Sequence, residues 1–294
     1  PWALKMIKKI ILKLFKKKIF NNKKINEINY INYTRLITQN IKNKKELNFL
    51  HSGLPGDIIN SLAVIKKISQ THKCNLFINI NKKIEYEYLK HPGQGFLMND
   101  KLYEMIFPLI KKQNYISNIC KYDNSNIDIN LDYFRLFPAK FINPPRYYFH
   151  LTGEKADLNE PYLEVEPHPN IKNKIVILRS FRFRNNLINY NFLKNFNDLL
   201  FIGLESEFED LKQSIPNLQF YDCKDFYEMS QIIKSAKFFL GNQSLGYAIA
   251  DALNVPRLLE SCKDYTAVQP EGKNAFDFFY QIHFEKWFNY LNTR

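Results

Sequence analysis

The chain has 294 residues and a formal net charge of +13, with 45% hydrophobic and 15% aromatic residues. That composition excludes a disordered chain, and at roughly 100–200 residues per domain the length suits two domains. Thirteen Lys and Arg against Glu27 and Glu46 give the first 46 residues +11, which leaves +2 for the other 248. A nucleic-acid-binding body would carry its basic stripe on the folded domain, so nucleic acid is not an expected partner.

The four cysteines, Cys74, Cys120, Cys223 and Cys262, are widely spaced and form no C-x-x-C pair. Neither a zinc or redox motif nor a disulfide framework is expected, and the reading is of reduced thiols in a cytoplasmic protein. No apolar run reaches the ~18 residues that a membrane span requires. The segment after Met6 has no long uncharged core and no small-residue cleavage site, so a signal peptide is not expected.

In chain order, residues 6–20 read as a short amphipathic helix. Ile7, Ile11, Leu14 and Phe15 fall at helical spacing among Lys8, Lys9, Lys13, Lys16 and Lys17. A basic helix with an apolar face suits an anionic membrane surface, and the protein would then be peripheral on the inner membrane face. The bland alternative is a frayed tail or a helix docked on the body. Residues 21–45 are polar and Asn-rich, and read as a linker holding at most one helical turn or strand. Residues 1–45 together make a basic arm.

A first lobe is expected over 46–166. Leu47–His51 reads as a buried strand, followed by the turn Ser52-Gly53-Leu54-Pro55-Gly56-Asp57. Ile58, Ile59, Leu62, Ile65 and Ile68 then repeat at helical spacing, and Cys74–Ile80 is the next strand. This is a βαβ unit. A helix is expected over Leu102–Gln113 and short strands over Tyr115–Cys120 and Ile127–Leu131. Pro138, Pro144 and Pro145 punctuate the exit, and Phe149–Glu166 reads as irregular.

A second lobe is expected over 167–273. Strands at Ile175–Leu178, Leu199–Gly203, Leu218–Tyr221, Lys237–Leu240 and Pro256–Glu260 alternate with helices near Phe192–Phe196, Glu205–Ser214, Phe226–Ser235 and Leu245–Leu253. Strict alternation with short connections predicts α/β lobes with doubly wound parallel sheets. Residues 274–294 are aromatic-rich and read as a terminal helix packed across the lobes.

Ligands in such sheets sit beyond the carboxyl ends of the strands. Four stretches are placed there. Gly241-Asn242-Gln243-Ser244 closes a strand and opens a helix, whose free N–H groups and dipole attract an anion. Gly241 allows close approach, and the three polar side chains exceed what helix capping needs. Arg179, Arg182 and Arg184 follow the lobe's first strand, and Arg recognises phosphate oxygens in a planar, bidentate way. An extended loop alternating with Phe181 and Phe183 would point Arg182 and Arg184 to one side. Glu260 ends the last strand, where a carboxylate can meet ribose hydroxyls or simply face solvent. In the first lobe, Gly53 and Gly56 allow tight backbone approach to a ligand. Asp57 either caps the helix or acts as a general base, with His51 the runner-up base. The turn lacks the Lys-Ser/Thr of a P-loop, so NTP hydrolysis is disfavoured.

Gly53-Leu54-Pro55-Gly56-Asp57-Ile58-Ile59-Asn60-Ser61-Leu62 resembles the "GxxGD-hydrophobic" turn and helix of the heptosyltransferase-like (ADP-heptose:LPS type) GT-B glycosyltransferases. Gly241 to Pro256 resembles their "D-[ST]-G-xx-H-xAxAxgxP" donor-binding turn and helix. The resemblance covers both lobes, from about Glu46 to Glu260. It implies two Rossmann-like lobes, a nucleotide-sugar donor on the second, a glycan or lipid-linked acceptor on the first, and Asp57 as base. Asn242 replaces the family's acidic residue and Tyr247 stands near its usual His. No D-x-D motif sits in a plausible loop, so neither a metal nor a cofactor is expected. The alternatives are a GT-B-fold nucleotide-sugar epimerase and a catalytically inactive nucleotide-sugar-binding protein.

Overall fold

The computed structural model describes residues 27–84, 93–138 and 142–294. The amphipathic stretch at 6–20 lies outside the described residues. Residues 27–43 form a helix, α1, where the polar composition suggests a linker. The reason is tertiary. Tyr30 and Ile37 are buried, Ile41 packs on the same core, and Tyr33 stacks on Tyr133 at 3.6 Å between ring centroids. The Asn40 amide also donates to the Asp128 carbonyl at 2.8 Å.

The first sheet contains β1 (Glu46–His51), β2 (Lys73–Ile78), β3 (Asn118–Lys121) and β4 (Ile129–Asn130), in the order β3-β2-β1-β4 and all parallel. Helices α2 (Pro55–Ser69) and α3 (Asp100–Lys111) follow β1 and β2. A 3₁₀ helix at Leu131–Leu136 follows β4. The prolines read as punctuation instead open α4 (Pro144–Thr152), where a missing N–H costs nothing, and Gly153 at φ 78° closes it.

The second sheet runs β10-β9-β8-β5-β6-β7, all parallel. Its strands are β5 (Ile175–Leu178), β6 (Leu199–Ile202), β7 (Gln219–Tyr221), β8 (Phe238–Asn242), β9 (Arg257–Glu260) and β10 (Ala275–Phe278). Numbered from β5, this is the 3-2-1-4-5-6 order of a dinucleotide-binding sheet. Helices α5 (Glu205–Lys212), α6 (Phe226–Lys234) and α7 (Leu245–Ala252) connect its strands. The two parallel sheets with flanking helices form a two-lobed α/β fold.

Strand alternation splits the core of this lobe. Val176, Leu178, Leu200, Ile202 and Phe239 join α6, α7 and the first lobe in one continuous core. Ile175, Ile177, Leu199, Phe201, Phe238 and Leu240 face the other way. That second face is covered by α8 (Gln281–Asn292) through Phe284, Phe288 and Leu291. Residues 274–294 are therefore a strand and a helix on the second sheet, not one helix across the lobes. Phe278 stacks on Phe284 at 4.2 Å and fixes the turn between them. What joins the lobes is α2 against α7 and α3 against α6.

Candidate active site in the interlobe cleft

Each sheet has one switch point, where the chain reverses its direction of winding: between β1 and β4, and between β5 and β8. The loops leaving these strands meet across a cleft of about 1410 Å³. Asp57, Arg135, Tyr147 and Tyr148 line it from the first lobe, and Arg182, Glu207, Gln243, Ser244 and Tyr247 from the second.

Asp57 sits in the first turn of α2. Its Oδ2 accepts from the Leu54 N–H at 3.3 Å and from Arg135 Nη2 at 3.2 Å. Burial raises its carboxyl above the ordinary value, and the charges of Arg135 and, from the second lobe, Arg182 oppose that rise. Arg135 comes from the 3₁₀ helix after β4. Its Nη1 donates to Asp132 Oδ1 at 3.0 Å, and its guanidinium lies 4.4 Å from the Phe134 ring. Asp132 also accepts the Ser52 N–H at 2.9 Å and pairs with Lys82 at 3.2 Å. Burial alone would raise Asp132, but His51, Arg135 and the Ser52 hydrogen bonds outweigh it and hold the group below the usual carboxylate range.

His51 is fully buried behind this wall and does not line the cleft. Its Nδ1 accepts the Gly53 N–H at 2.9 Å, which assigns the proton to Nε2. Nε2 then donates to Tyr148 Oη at 2.9 Å, and Tyr148 Oη donates to the Asp57 carbonyl at 3.0 Å. Burial pushes the imidazole down to about 3. His51 thus holds the backbone of Asp57 through Tyr148, and both of its ring nitrogens are engaged within the protein. Gly53 serves the same packing: a Cβ there would lie 2.5 Å from His51 Cε1 and 2.9 Å from Asp57. Its openness is filled by the protein and not by a ligand. Gly56 lines the cleft where α2 approaches α7, 3.9 Å from Leu245 Cα for an added Cβ.

In the second lobe, Ser244 caps α7, accepting from the Tyr247 N–H, and the helix N-terminus opens on the cleft. Gln243 is beside it, with a buried Oε1 that takes no hydrogen bond among the described residues. Tyr247 is buried in the wall, and burial raises its phenol. Of the three arginines, only Arg182 lines the cleft. Phe183 has φ 54°, so the loop is not extended and the alternation fails. Arg184 turns back to the carbonyls of Ser180 at 2.9 Å and Arg179 at 3.1 Å, and to Asp210 at 2.5 Å.

Arg179 and Glu260 meet each other and not a ligand cleft. Arg179 donates Nε and Nη2 to Glu260 at 2.7 and 2.9 Å. Glu260 accepts two more hydrogen bonds, from the Asn185 N–H at 2.6 Å and Tyr190 Oη at 2.7 Å. Its oxygens are occupied within the protein. Asn242 is fully buried: Oδ1 accepts the Ser180 N–H at 2.9 Å, while Nδ2 donates to the carbonyls of Ser180 at 2.9 Å and Arg182 at 2.6 Å. It shapes the arginine loop and contacts no cleft. Gly241 is required by the sheet, since a Cβ would sit 2.3 Å from the Leu178 carbonyl. Among the described residues, no group of three or more His, Cys, Asp or Glu is placed to hold a metal ion.

No family profile matches the chain, and no curated protein matches it by sequence. Solved structures do. The glycosyl transferase family 9 protein from Veillonella parvula DSM 2008 aligns over 74% of this chain and 80% of its own, with 9% identity and a TM-score of 0.51. The E. coli heptosyltransferase WaaC with ADP aligns over 84% and 99%, with 10% identity and a TM-score of 0.51. The fold is that of the GT-B glycosyltransferases. Arg135, Asp132 and Tyr148, which form the wall around Asp57, are not singled out by the sequence pattern. The rule of strand carboxyl ends points to the first two, because they directly follow β4.

Proposed function

We propose that this protein is a glycosyltransferase moving a sugar from a nucleotide-diphosphate donor to a hydroxyl of a glycan or lipid-linked acceptor. One observation carries the reading: a carboxylate with a raised pKa, Asp57, faces an anion-attracting helix start and Arg182 across one cleft. The diphosphate rests at the start of α7, near Gln243 and Ser244. Asp57 takes the proton of the acceptor hydroxyl. The acceptor oxygen bonds to the anomeric carbon as the bond to the diphosphate breaks, and the diphosphate leaves with that electron pair. Arg182 and the α7 amides stabilise its charge, in the place a divalent ion takes in other transferases. The GT-B likeness supports the class of donor, and WaaC was solved with ADP. In this reading residues 6–20 of the basic arm tether the enzyme to an anionic membrane surface where lipid-linked acceptors lie.

The test is a panel of nucleotide sugars, read first by thermal shift and then by turnover in the presence of a chelator. The expected outcome is a raised melting temperature with one donor and chelator-resistant release of its nucleotide diphosphate. Asp57→Asn should keep the thermal shift and lower turnover roughly 10²–10⁴-fold. Release of an epimerised sugar would turn the reading to an epimerase. A thermal shift without turnover, unaltered by Asp57→Asn, would make it a binding protein.

A further inference from the structure

The two oxygens of Asp57 are not equivalent. Oδ2 holds both hydrogen bonds of the carboxylate, from Leu54 N–H at 3.3 Å and Arg135 Nη2 at 3.2 Å. Oδ1 takes none among the described residues, and the side chain is 31% exposed to the cleft. Arg135 is itself held from two further sides. Its other nitrogen meets Asp132 at 3.0 Å, its face lies on Phe134, and Asp132 is tied to the Ser52 N–H and Lys82. The guanidinium is therefore a fixed fork with one prong for a structural carboxylate and one for Asp57.

Building on the transferase reading, we propose that Arg135 is the positioning residue of the cleft: it anchors Asp57 through Oδ2 and thereby assigns Oδ1 to the acceptor hydroxyl. The consequence is electrostatic as well as geometric. The groups facing Asp57 are Arg135 and Asp132 from the 3₁₀ helix, His51 from β1, Tyr148 from α4 and Arg182 from the β5 loop, with Lys82 behind Asp132. His51 is neutral above about pH 3 and Tyr148 is neutral throughout. The fixed cation in contact with Asp57 is Arg135, and it counters the burial that raises the carboxyl. A Lys at 135 would keep the charge and lose the fork. A Gln would keep a donor and lose the charge.

The experiment compares the full pH profile of kcat/KM in wild type, Arg135→Gln and Arg135→Lys. Losing a cation that close raises a carboxyl by about one unit or more, so the acid limb of the profile should move to higher pH by about that much in Arg135→Gln. Arg135→Lys should keep the wild-type acid limb while kcat falls. A uniform loss in Arg135→Gln with an unmoved acid limb, or a loss confined to the acceptor KM, overturns the proposal and makes Arg135 an acceptor-binding residue. A second readout needs no turnover. Arg135→Gln should lower the melting temperature more on the alkaline side of the Asp57 titration, where the carboxylate has lost its partner, than on its acid side. Asp57→Asn should abolish that difference. If no donor is ever turned over but this pH-dependent coupling is present, the transferase reading fails and the anchoring stands. If the coupling is absent, the anchoring fails whatever the activity.

Discussion

Replacing Glu260 by Ala tests whether its carboxylate is the buried partner of Arg179. The Glu260 side chain is fully buried and Arg179 is 11% exposed. Removing the carboxylate leaves the guanidinium, Tyr190 Oη and the Asn185 N–H without their acceptor in a site with little water. Breaking a buried, hydrogen-bonded ion pair from one side costs about 3–5 kcal/mol. At roughly 2–4 °C per kcal/mol for a chain of this size, the melting temperature should fall by roughly 6–20 °C. The assay is thermal unfolding with and without the nucleotide that stabilises wild type. The expected result is a large fall in the apo protein with the nucleotide-induced increment retained by what remains folded. A melting temperature within about 2 °C of wild type, together with loss of that increment, would refute the reasoning. Glu260 would then be a ribose ligand and not the buried partner of Arg179.

Three further outcomes follow from the same contacts. His51 titrates near 3 in the fold against about 6.5 in the unfolded chain, so the unfolded state binds the extra proton between those values. Its stability contribution is complete above pH 6.5 and is lost as pH falls toward 3. Urea unfolding from pH 6 to pH 4 should show a slope of about 1.4 kcal/mol per pH unit that His51→Asn removes, and an unchanged slope would sink the assignment. Asn242→Asp should destabilise by at least about 1–3 kcal/mol, because a carboxylate would face the carbonyls that Nδ2 now serves at 2.9 and 2.6 Å; a neutral denaturation midpoint would contradict this. Tyr33→Ala should loosen α1 from the body, costing about 0.5–1.5 kcal/mol beyond lost area for the Tyr133 stack, and limited proteolysis should cut within 27–43 sooner than in wild type.

The sheets were legible because parallel strands buried on both faces read as unbroken apolar runs, as in Ile175–Leu178 and Leu199–Ile202. The location of the cleft was legible for a similar reason: a polar turn after such a run marks a strand's carboxyl end. Partnership was not legible. Arg179 and Glu260 are 81 positions apart, and nothing local says that β5 and β9 flank the same strand. Sheet order decides that the two charges meet each other before either meets a ligand. The same limit hid α1, whose polar residues carry helix-spaced Tyr30, Tyr33, Ile37 and Ile41 that gain a partner only when the first lobe has folded. Arg135 lies just past β4, at a legible strand end, but the 3₁₀ helix that carries it has too little periodicity to say which of its side chains faces the cleft.

The two lobes solve one geometric problem twice, with different charges. At each switch point the chain leaving the first strand must be held against the chain leaving the fourth. In the first lobe the Ser52 N–H is held by Asp132 Oδ1 at 2.9 Å, and in the second the Ser180 N–H is held by Asn242 Oδ1 at 2.9 Å. A carboxylate in that role needs cations, and Asp132 draws Arg135 and Lys82 to it; Arg135 then reaches Asp57. An amide in that role needs none, and its N–H groups go to the carbonyls of the arginine loop instead. The charged latch stands on the wall with Asp57, where a cation opposes the rise of its carboxyl. The neutral latch stands on the wall with the anion-attracting helix start, where a carboxylate would oppose a phosphate. Under the proposed function, the amide at Asn242 holds the arginine loop without setting a carboxylate beside the diphosphate.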